Sequence, residues 1–418
     1  MRKYIGWIIL GTLIFYLFST YLPIFMKLAA LCAWLVPLLM WNSLGKNSRN
    51  QTLFLVAAGL MALAFAGSQG VFLGWQQILA INLPLLAMFV AVSFLTLTNP
   101  GIEDPSLPHG KRAVLSTAIG THLLGAAINL SVLFVFGDRL EKGGTLSREQ
   151  LIILARSFCA AAWWSPFFIA TGVALTYAPG MLWRETLIPG AIMSVIAICY
   201  STVEVCWFRS ALFSGYPLKR ESLTVPLLLA GVVITVHHFW PDFSILTLIC
   251  LLAPGGALLF MRGRPRTQTL HDFITHKVLS VSSQFALFLA AGVFSTGIKS
   301  VIQVYPELFS LHQTSFTSSL FAMISGVMIV VGILGMHPLV SIAIISPLLL
   351  PLNPNHSQLG FLFLTTWAVS TSSTPLSGVG LALVSRFNAS PKMILQSNYH
   401  YAITMWLVAC VVNIIYFG

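Results

Sequence analysis

The chain has 418 residues, of which 57% are hydrophobic and only 8% are charged, and its formal net charge is +11. Soluble domains carry roughly 25% charged residues, so this composition excludes a soluble enzyme, a nucleic-acid binder and a disordered regulator. The excess of Lys and Arg over Asp and Glu is typical of the cytoplasmic loops of membrane proteins. The composition therefore predicts an all-α integral membrane protein that contacts lipid and has no nucleic-acid partner.

Apolar stretches of about 20 residues predict membrane-spanning helices. The stretches that fit a single crossing are 4–21, 28–42, 52–68, 75–97, 188–208, 223–239, 242–260, 277–303 and 395–417. The first of them lacks a cleavage site of small residues, which favours an uncleaved span over a signal peptide.

Three other apolar stretches, 150–177, 316–351 and 358–385, do not fit a simple crossing, and a fourth, 114–136, could cross once or enter and return. We expect 114–136 and 316–351 to be re-entrant hairpins, and 150–177 and 358–385 to be helices that cross once with a break in the middle. The expected breaks are polar and contain proline: Trp164-Ser165-Pro166 and Ser372-Ser373-Thr374-Pro375.

Loop charge favours this assignment, because it places most of the 22 Lys and Arg residues in the cytoplasm. The N-terminus is then cytoplasmic and the C-terminus external, in a bacterial-type inner membrane. The reverse assignment, with hairpins at 150–177 and 358–385, stays open; it moves Arg139, Lys142 and Arg148 to the outside.

The two halves of the sequence share short motifs in the same order. The matched pairs are Gly120-Thr121-His122 with Gly335-Met336-His337, Ser165-Pro166 with Thr374-Pro375, and Gly172-Val173-Ala174-Leu175 with Gly380-Leu381-Ala382-Leu383. The expected topology places the copies in opposite orientation, as an extra span at 1–27 and inverted repeats at 28–210 and 211–418. Inverted repeats with interrupted helices are typical of secondary transporters, whose substrate lies at the repeat interface.

On these features the chain resembles the ion transporter superfamily, and its layout is closest to the divalent anion/sodium symporter family. The resemblance implies 11 crossings, two re-entrant hairpins and an elevator-type carrier that is a homodimer. The Ser-Asn-Thr motif typical of that family's hairpin tips is replaced here by Gly120-Thr121-His122 and by Gly335-Met336-His337-Pro338. The family's sodium and dicarboxylate chemistry is therefore not carried over.

Candidate substrate-binding residues follow from the hairpins and the breaks. Hairpin-tip imidazoles could contact substrate or a proton, or could cap exposed backbone. Hydroxyl groups beside proline could bind a ligand, or could bond to carbonyls of their own helix. An amide in an apolar hairpin needs a partner. The candidates are His122, Asn129, Ser165, Pro166, Thr171, Gly172, His337, Pro338, Ser372, Ser373, Thr374, Pro375, Ser377 and Gly378.

Ionisable groups are scarce in the expected spans. Glu204 lies near a span end, where snorkelling satisfies its charge. Arg156 could face an anionic group or snorkel to the cytoplasmic surface. The lack of a central carboxylate disfavours sodium/proton antiport and a cationic substrate. A neutral site with helix N-termini suits a small anion or a polar solute.

The sequence therefore indicates a secondary active transporter rather than an enzyme, coupled to Na⁺ or H⁺ and without a resident cofactor or metal. No Walker A motif occurs, so the chain does not itself use ATP. Two alternatives stay open. One is a membrane-embedded transferase with His122 or His337 as base, and the other is a channel or an assembly subunit.

Overall fold

The computed structural model describes residues 2–98, 107–128, 130–209, 213–217, 220–240, 243–263, 265–309 and 315–418. These residues form helices and, apart from two isolated bridges, no β-structure, which confirms the all-α prediction. The helices are α1 (Arg2–Ser19), α2 (Ile24–Met40), α3 (Lys46–Ser68), α4 (Trp75–Ala80), α5 (Leu83–Ser93), α6 (Lys111–Ile128), α7 (Ser131–Leu140), α8 (Arg148–Ala160), α9 (Ile169–Tyr177), α10 (Trp183–Arg209), α11 (Arg220–Phe239), α12 (Ile245–Leu259), α13 (Arg266–Asp272), α14 (Ser282–Val304), α15 (Pro306–Phe309), α16 (Ser318–Ile333), α17 (Pro338–Leu349), α18 (His356–Ser373), α19 (Gly378–Phe387) and α20 (Pro391–Phe417).

Six helical segments in the described part of the chain are long and apolar enough to cross a bilayer. They are Ile24–Ser43, Ser48–Ser68, Trp75–Thr98, Trp183–Trp207, Arg266–Val304 and Pro391–Phe417. Five shorter apolar helices accompany them, within Tyr4–Ser19, Leu227–Phe239, Ile245–Leu259, Ser318–Ile333 and Pro338–Leu352. The chain is therefore a multi-pass helical membrane protein.

The chain divides into two compact units, and each unit takes segments from both halves of the sequence. Unit 1 comprises residues 1–99, 228–314 and 343–353. Unit 2 comprises residues 100–227, 315–342 and 354–418.

Unit 1 is organised around α14, which crosses α3 at glycines. A Cβ atom on Gly59 would lie 2.8 Å from the backbone of Phe294, and one on Gly297 would lie 2.6 Å from the carbonyl oxygen of Gly59. The absence of side chains there lets the two backbones approach closely, as small residues do in membrane helix pairs.

The predicted span 75–97 is interrupted in unit 1. Helix α4 ends at Ala80 and α5 begins at Leu83. Between them the buried Asn82 donates its Nδ2–H to the carbonyl oxygen of Phe288 on α14, at 2.6 Å. The amide thereby holds the interruption against α14.

Unit 2 contains the first segment expected as a hairpin and residues 316–342 of the second, together with both expected broken helices and the helices that follow them. Helix α8 begins at a capping box formed by Ser147 and Gln150, and the side chain of Asn355 caps α18. The helices of the two halves begin with the same spacing. The number of residues from the start of α8 (Arg148) to the start of α10 (Trp183) equals the number from the start of α18 (His356) to the start of α20 (Pro391). Both α10 and α20 have 27 residues.

The two broken helices of unit 2 run in opposite directions. Beside the start of α18, the hydroxyl of Ser357 accepts the N–H of Leu182, which follows the end of α9 (3.1 Å). At the other end, Arg386 of α19 makes a bidentate ion pair with Asp138 of α7, at 2.9 and 3.1 Å. Each broken helix thus ends close to where the other one begins.

Candidate functional site

Both broken helices are interrupted at a proline. Helix α8 ends at Ala160, a 3₁₀ turn spans Ala161–Trp163, and α9 begins at Ile169. Helix α18 ends at Ser373, and α19 begins at Gly378. Proline lacks the N–H that a helix needs and forces the preceding residue out of the helical region. Accordingly Thr374, before Pro375, has an extended backbone (φ −117°, ψ 139°).

At the first break, the hydroxyl of the residue before proline connects the broken helix to the end of α6. Ser165 Oγ donates to the carbonyl oxygen of Ala126 at 2.5 Å and accepts the N–H of Phe167 at 3.2 Å. Thr171 then donates its hydroxyl to the carbonyl oxygen of Ser165 at 2.6 Å. We call this set of residues the first junction.

The second break repeats the same arrangement at the end of α16. Thr374 Oγ1 donates to the carbonyl oxygen of Ile333 at 2.8 Å and accepts the N–H of Leu376 at 3.2 Å. Ser377 donates to the carbonyl oxygens of Thr371 and Thr374 and caps the N-terminus of α19. We call this set the second junction. At both junctions a hydroxyl before proline satisfies an orphan carbonyl at a helix end.

His122 lies inside α6 and not at a hairpin tip, so that prediction was wrong. The helix continues to Ile128, because the segment after Gly120 contains no proline and Gly125 is accommodated within it. Of the two histidines expected at hairpin tips, only His337, in the second half of the sequence, lies outside a helix. There Gly335 has a φ of +109°, a conformation that favours glycine, and α17 begins at Pro338.

The ring of His122 is held by two hydrogen bonds. Its Nε2 accepts the indole N–H of Trp164 at 3.0 Å, and its Nδ1 lies 3.1 Å from the carbonyl oxygen of Ser157. Since a carbonyl oxygen only accepts, the neutral ring must carry its proton on Nδ1. Both nitrogens are therefore engaged by protein groups. This arrangement favours a structural role for His122 over contact with substrate or a proton.

His337 lies in the turn between α16 and α17. Its Nδ1 accepts the N–H of Leu339 at 3.2 Å, and its ring packs edge-on against Trp367, with centroids 5.3 Å apart. The side chain thus caps the first turn of α17. Each of the two histidines contacts a tryptophan of the broken helix in its own half of the sequence.

Arg156 does not snorkel to the surface, so that interpretation was wrong, and the anionic group that it faces is a carboxylate of the protein itself, that of Glu204. Its side chain is fully buried and makes a 2.7 Å ion pair with Glu204 of α10. Its Nε donates to Asn398 at 2.7 Å, and its Nη2 donates to the carbonyl oxygen of Ser397 at 2.6 Å. Glu204 likewise serves as the partner of a buried arginine rather than as a snorkelling end residue.

Several buried hydroxyl groups of unit 2 make no hydrogen bond within the described structure. They include those of Thr121, Ser157, Ser341 and Thr371. Thr371 precedes the second break, while Thr121 is next to His122, and Ser157 supplies the carbonyl that His122 contacts. Burying a hydroxyl without a hydrogen-bond partner costs free energy. Such groups are therefore usual where water or a ligand supplies the missing hydrogen bond.

The structure places the predicted site residues as follows. Ser165, Pro166, Thr171 and Gly172 lie buried at the first break, and Ser372, Ser373, Thr374, Pro375 and Ser377 lie buried at the second. Gly378 is exposed at the start of α19, Pro338 is buried at the start of α17, and Asn129 lies outside the described residues. All of those that are described belong to unit 2.

Two further groups at the first break were not predicted from the sequence. Trp183 of α10 donates its indole N–H to the carbonyl oxygen of Trp164 at 3.2 Å, and Ser194 donates to that of Ala160 at 2.7 Å. These carbonyls lost their helical partners where α8 ends. The position of Ser194 within the apolar helix α10 is the only feature of the sequence that could have indicated such a role. The second break differs, because Ser372 and Ser377 satisfy carbonyls of their own segment.

No protein-family model and no curated protein matches the chain. Among solved structures, the chain is similar to one whose title reads "Crystal structure of the Alcanivorax borkumensis YdaH transporter reveals an unusual topology". The two chains are 12% identical, and the similarity covers 87% of this chain and 98% of that chain with a TM-score of 0.43. The candidate site therefore stands on the geometry of this chain.

Proposed function

We propose that the chain is a secondary active transporter that moves a small anion or polar metabolite across the membrane. The observation that carries this proposal is the repeated junction. In both halves, a hydroxyl before proline connects a broken helix to the end of the preceding helix, Ser165 to Ala126 and Thr374 to Ile333. Unwound backbone within apolar helices persists where protein or a water-filled site satisfies it.

The chemistry of the junctions favours an anion or a polar neutral solute. The side chains that form the two junctions offer hydroxyl groups, those of Ser165, Thr171, Thr374 and Ser377. The N-termini of α9 and α19 follow the two breaks and carry partial positive charge. The unpartnered hydroxyls of Thr121 and Thr371 supply further donors and acceptors. Such a site hydrogen-bonds an anion without a counter-charge.

In this proposal the mechanism is of the elevator type. Unit 2, which holds both junctions, is the moving transport domain, and unit 1 is the fixed scaffold of a homodimer. The layout is that of an ion transporter superfamily member with 11 crossings and two re-entrant hairpins, close to the divalent anion/sodium symporters. Transport is symport with Na⁺ or H⁺ across an inner membrane, with the N-terminus cytoplasmic and the C-terminus external.

The transferase alternative is weakened by the hydrogen bonds of His122. A general base needs a free lone pair, and Nε2 of this ring already accepts a hydrogen bond from the indole N–H of Trp164. In His337, Nδ1 accepts a backbone N–H.

Ligand-dependent thermal stability tests the chemical class of the substrate. The full-length protein in detergent is heated with mono-, di- and tricarboxylates, phosphate, sulfate, neutral amides and organic cations, each in Na⁺ and in K⁺ at acidic and basic pH. A bound substrate stabilises the folded protein by about 2.7 kcal/mol at a hundred times its Kd. We expect stabilisation by one anion class that depends on Na⁺ or on pH; stabilisation by organic cations alone would contradict the proposal.

A further inference from the structure

The network around Arg156 joins three helices behind the first break. Arg156 lies on α8, Glu204 on α10, and Ser397 and Asn398 on α20. The guanidinium uses its Nε, Nη1 and Nη2 groups toward these partners at 2.6 to 2.7 Å. Since α20 comes from the second half of the sequence, a single side chain ties the two halves of unit 2 together.

Two aromatic rings complete the surroundings of the guanidinium. Its Cζ atom lies 4.5 Å from the ring centroid of Tyr401 and 5.6 Å from that of Tyr200, within the range of cation–π attraction. A second arginine reaches the same place, because Arg148 donates its Nε–H to the hydroxyl of Ser397 at 3.0 Å. The start and the middle of α8 are thus both bonded to one turn of α20.

The network fixes the position of α8 next to the first junction. Ser157, the neighbour of Arg156, gives its carbonyl oxygen to His122, whose other nitrogen accepts the indole N–H of Trp164. The helix ends only a turn later, and Ser165 follows with its bond to Ala126. A shift of α8 would therefore displace Trp164 and Ser165 together.

Stability alone does not require an ion pair at this position. Replacing a buried ion pair by apolar side chains of similar volume is often neutral or stabilising, whereas such pairs can specify one register between elements. The matching helices of the second half are joined differently: Gln358 of α18 donates to Asn413 of α20 at 3.1 Å, with no formal charge. Among the described residues, a charged connection between a broken helix and the helix that follows it is therefore found only in the first half.

We propose that Arg156 is a positioning residue, which holds α8 against α10 and α20 so that the first junction keeps its geometry without contacting the substrate. The importance of this role for transport rests on the proposed function. The positioning itself does not, and it can be measured without a substrate.

Hydrogen–deuterium exchange of the full-length protein in detergent micelles tests the proposal. The variants are Arg156→Lys, which keeps the charge but has one donor group in place of three, and the double variant Arg156→Leu with Glu204→Leu, which leaves no unpaired charge. We expect backbone exchange in residues 161–172 to rise at least about tenfold in both variants, while exchange in α18 is unchanged. The control is the double variant Gln358→Leu with Asn413→Leu, which removes an uncharged connection of the same kind and should leave residues 161–172 unchanged.

The result that would overturn the proposal is unchanged exchange at residues 161–172 in an Arg156 variant that elutes as a single species and unfolds cooperatively. An equal rise in the control variant would also overturn it. If the Arg156→Lys protein does not fold, the double leucine variant decides by the same criterion. Where a transported substrate has been found, its KM should rise in Arg156→Lys with little change in maximal rate; a protein that transports nothing would refute the proposed function but not the positioning role.

Discussion

At the scale of single residues, His122 shows how neighbours assign a role that the residue type leaves open. The sequence singled out this histidine, but it could not distinguish a proton carrier from a structural group. The indole of Trp164 and the carbonyl of Ser157 engage both ring nitrogens. These partners come from α8 and the turn after it, so they become apparent only when the chain is folded.

We predict that His122→Gln retains most of the stability and that His122→Leu does not. Glutamine can still accept and donate, whereas leucine leaves the half-buried Trp164 N–H without its protein acceptor, which costs about 1 kcal/mol. The measurement is the thermal unfolding midpoint of both variants in the same detergent. Equal midpoints would show that the two hydrogen bonds contribute nothing.

The residue scale also shows which predictions need only local chemistry. Both breaks were predicted at Pro166 and Pro375, because proline acts on its own helix. The partners of Arg156 could not be predicted, since Asn398 is 242 residues away in the sequence. The apolar pattern of α8 does not reveal which neighbouring helix supplies a carboxylate.

At the scale of elements, the limits of most helices follow from apolar length and from capping residues. The contacts between helices do not, because they depend on which face meets which partner. Helix α3 contains Gly59 in its apolar middle and Gly67 one residue before its end. Only Gly59 meets a backbone, that of Phe294 on α14, whereas a Cβ atom on Gly67 would meet nothing within 4 Å.

This difference gives a matched pair of substitutions. Gly59→Ala should lower the thermal unfolding midpoint, because its Cβ atom would force α3 and α14 apart and lose their close packing. Gly67→Ala should leave it unchanged or raise it slightly, since alanine favours a helix by up to about 1 kcal/mol over glycine. A midpoint for Gly59→Ala equal to that of Gly67→Ala would contradict the close crossing.

At the scale of the whole molecule, the repeat was visible in the sequence as short motifs in a common order. The fold relates α8 to α18 and α10 to α20, and it pairs the two junctions through Ser165 and Thr374. The histidine motif does not follow this relation, because His122 is helical and His337 lies in a turn. Short apolar matches can therefore align residues whose backbones differ, while matches at proline mark equivalent places.

The central claim is that the junctions form the binding site of a carrier, and uptake into proteoliposomes tests it most directly. Reconstituted wild-type protein is supplied with the radiolabelled anion that stabilises it most, under an imposed Na⁺ or pH gradient. Thr374→Val removes the hydroxyl that bonds to Ile333 and Leu376. The matched control is Thr202→Val, since Thr202 bonds only to carbonyls of its own helix among the described contacts.

The account predicts saturable uptake that depends on the gradient. It also predicts that KM rises about fivefold to thirtyfold in Thr374→Val, since two hydrogen bonds of roughly 0.5–1 kcal/mol each are lost, and stays near the wild-type value in Thr202→Val. Conductance that rises linearly with voltage and does not saturate, or saturable uptake that both variants leave equally unaffected, would contradict it.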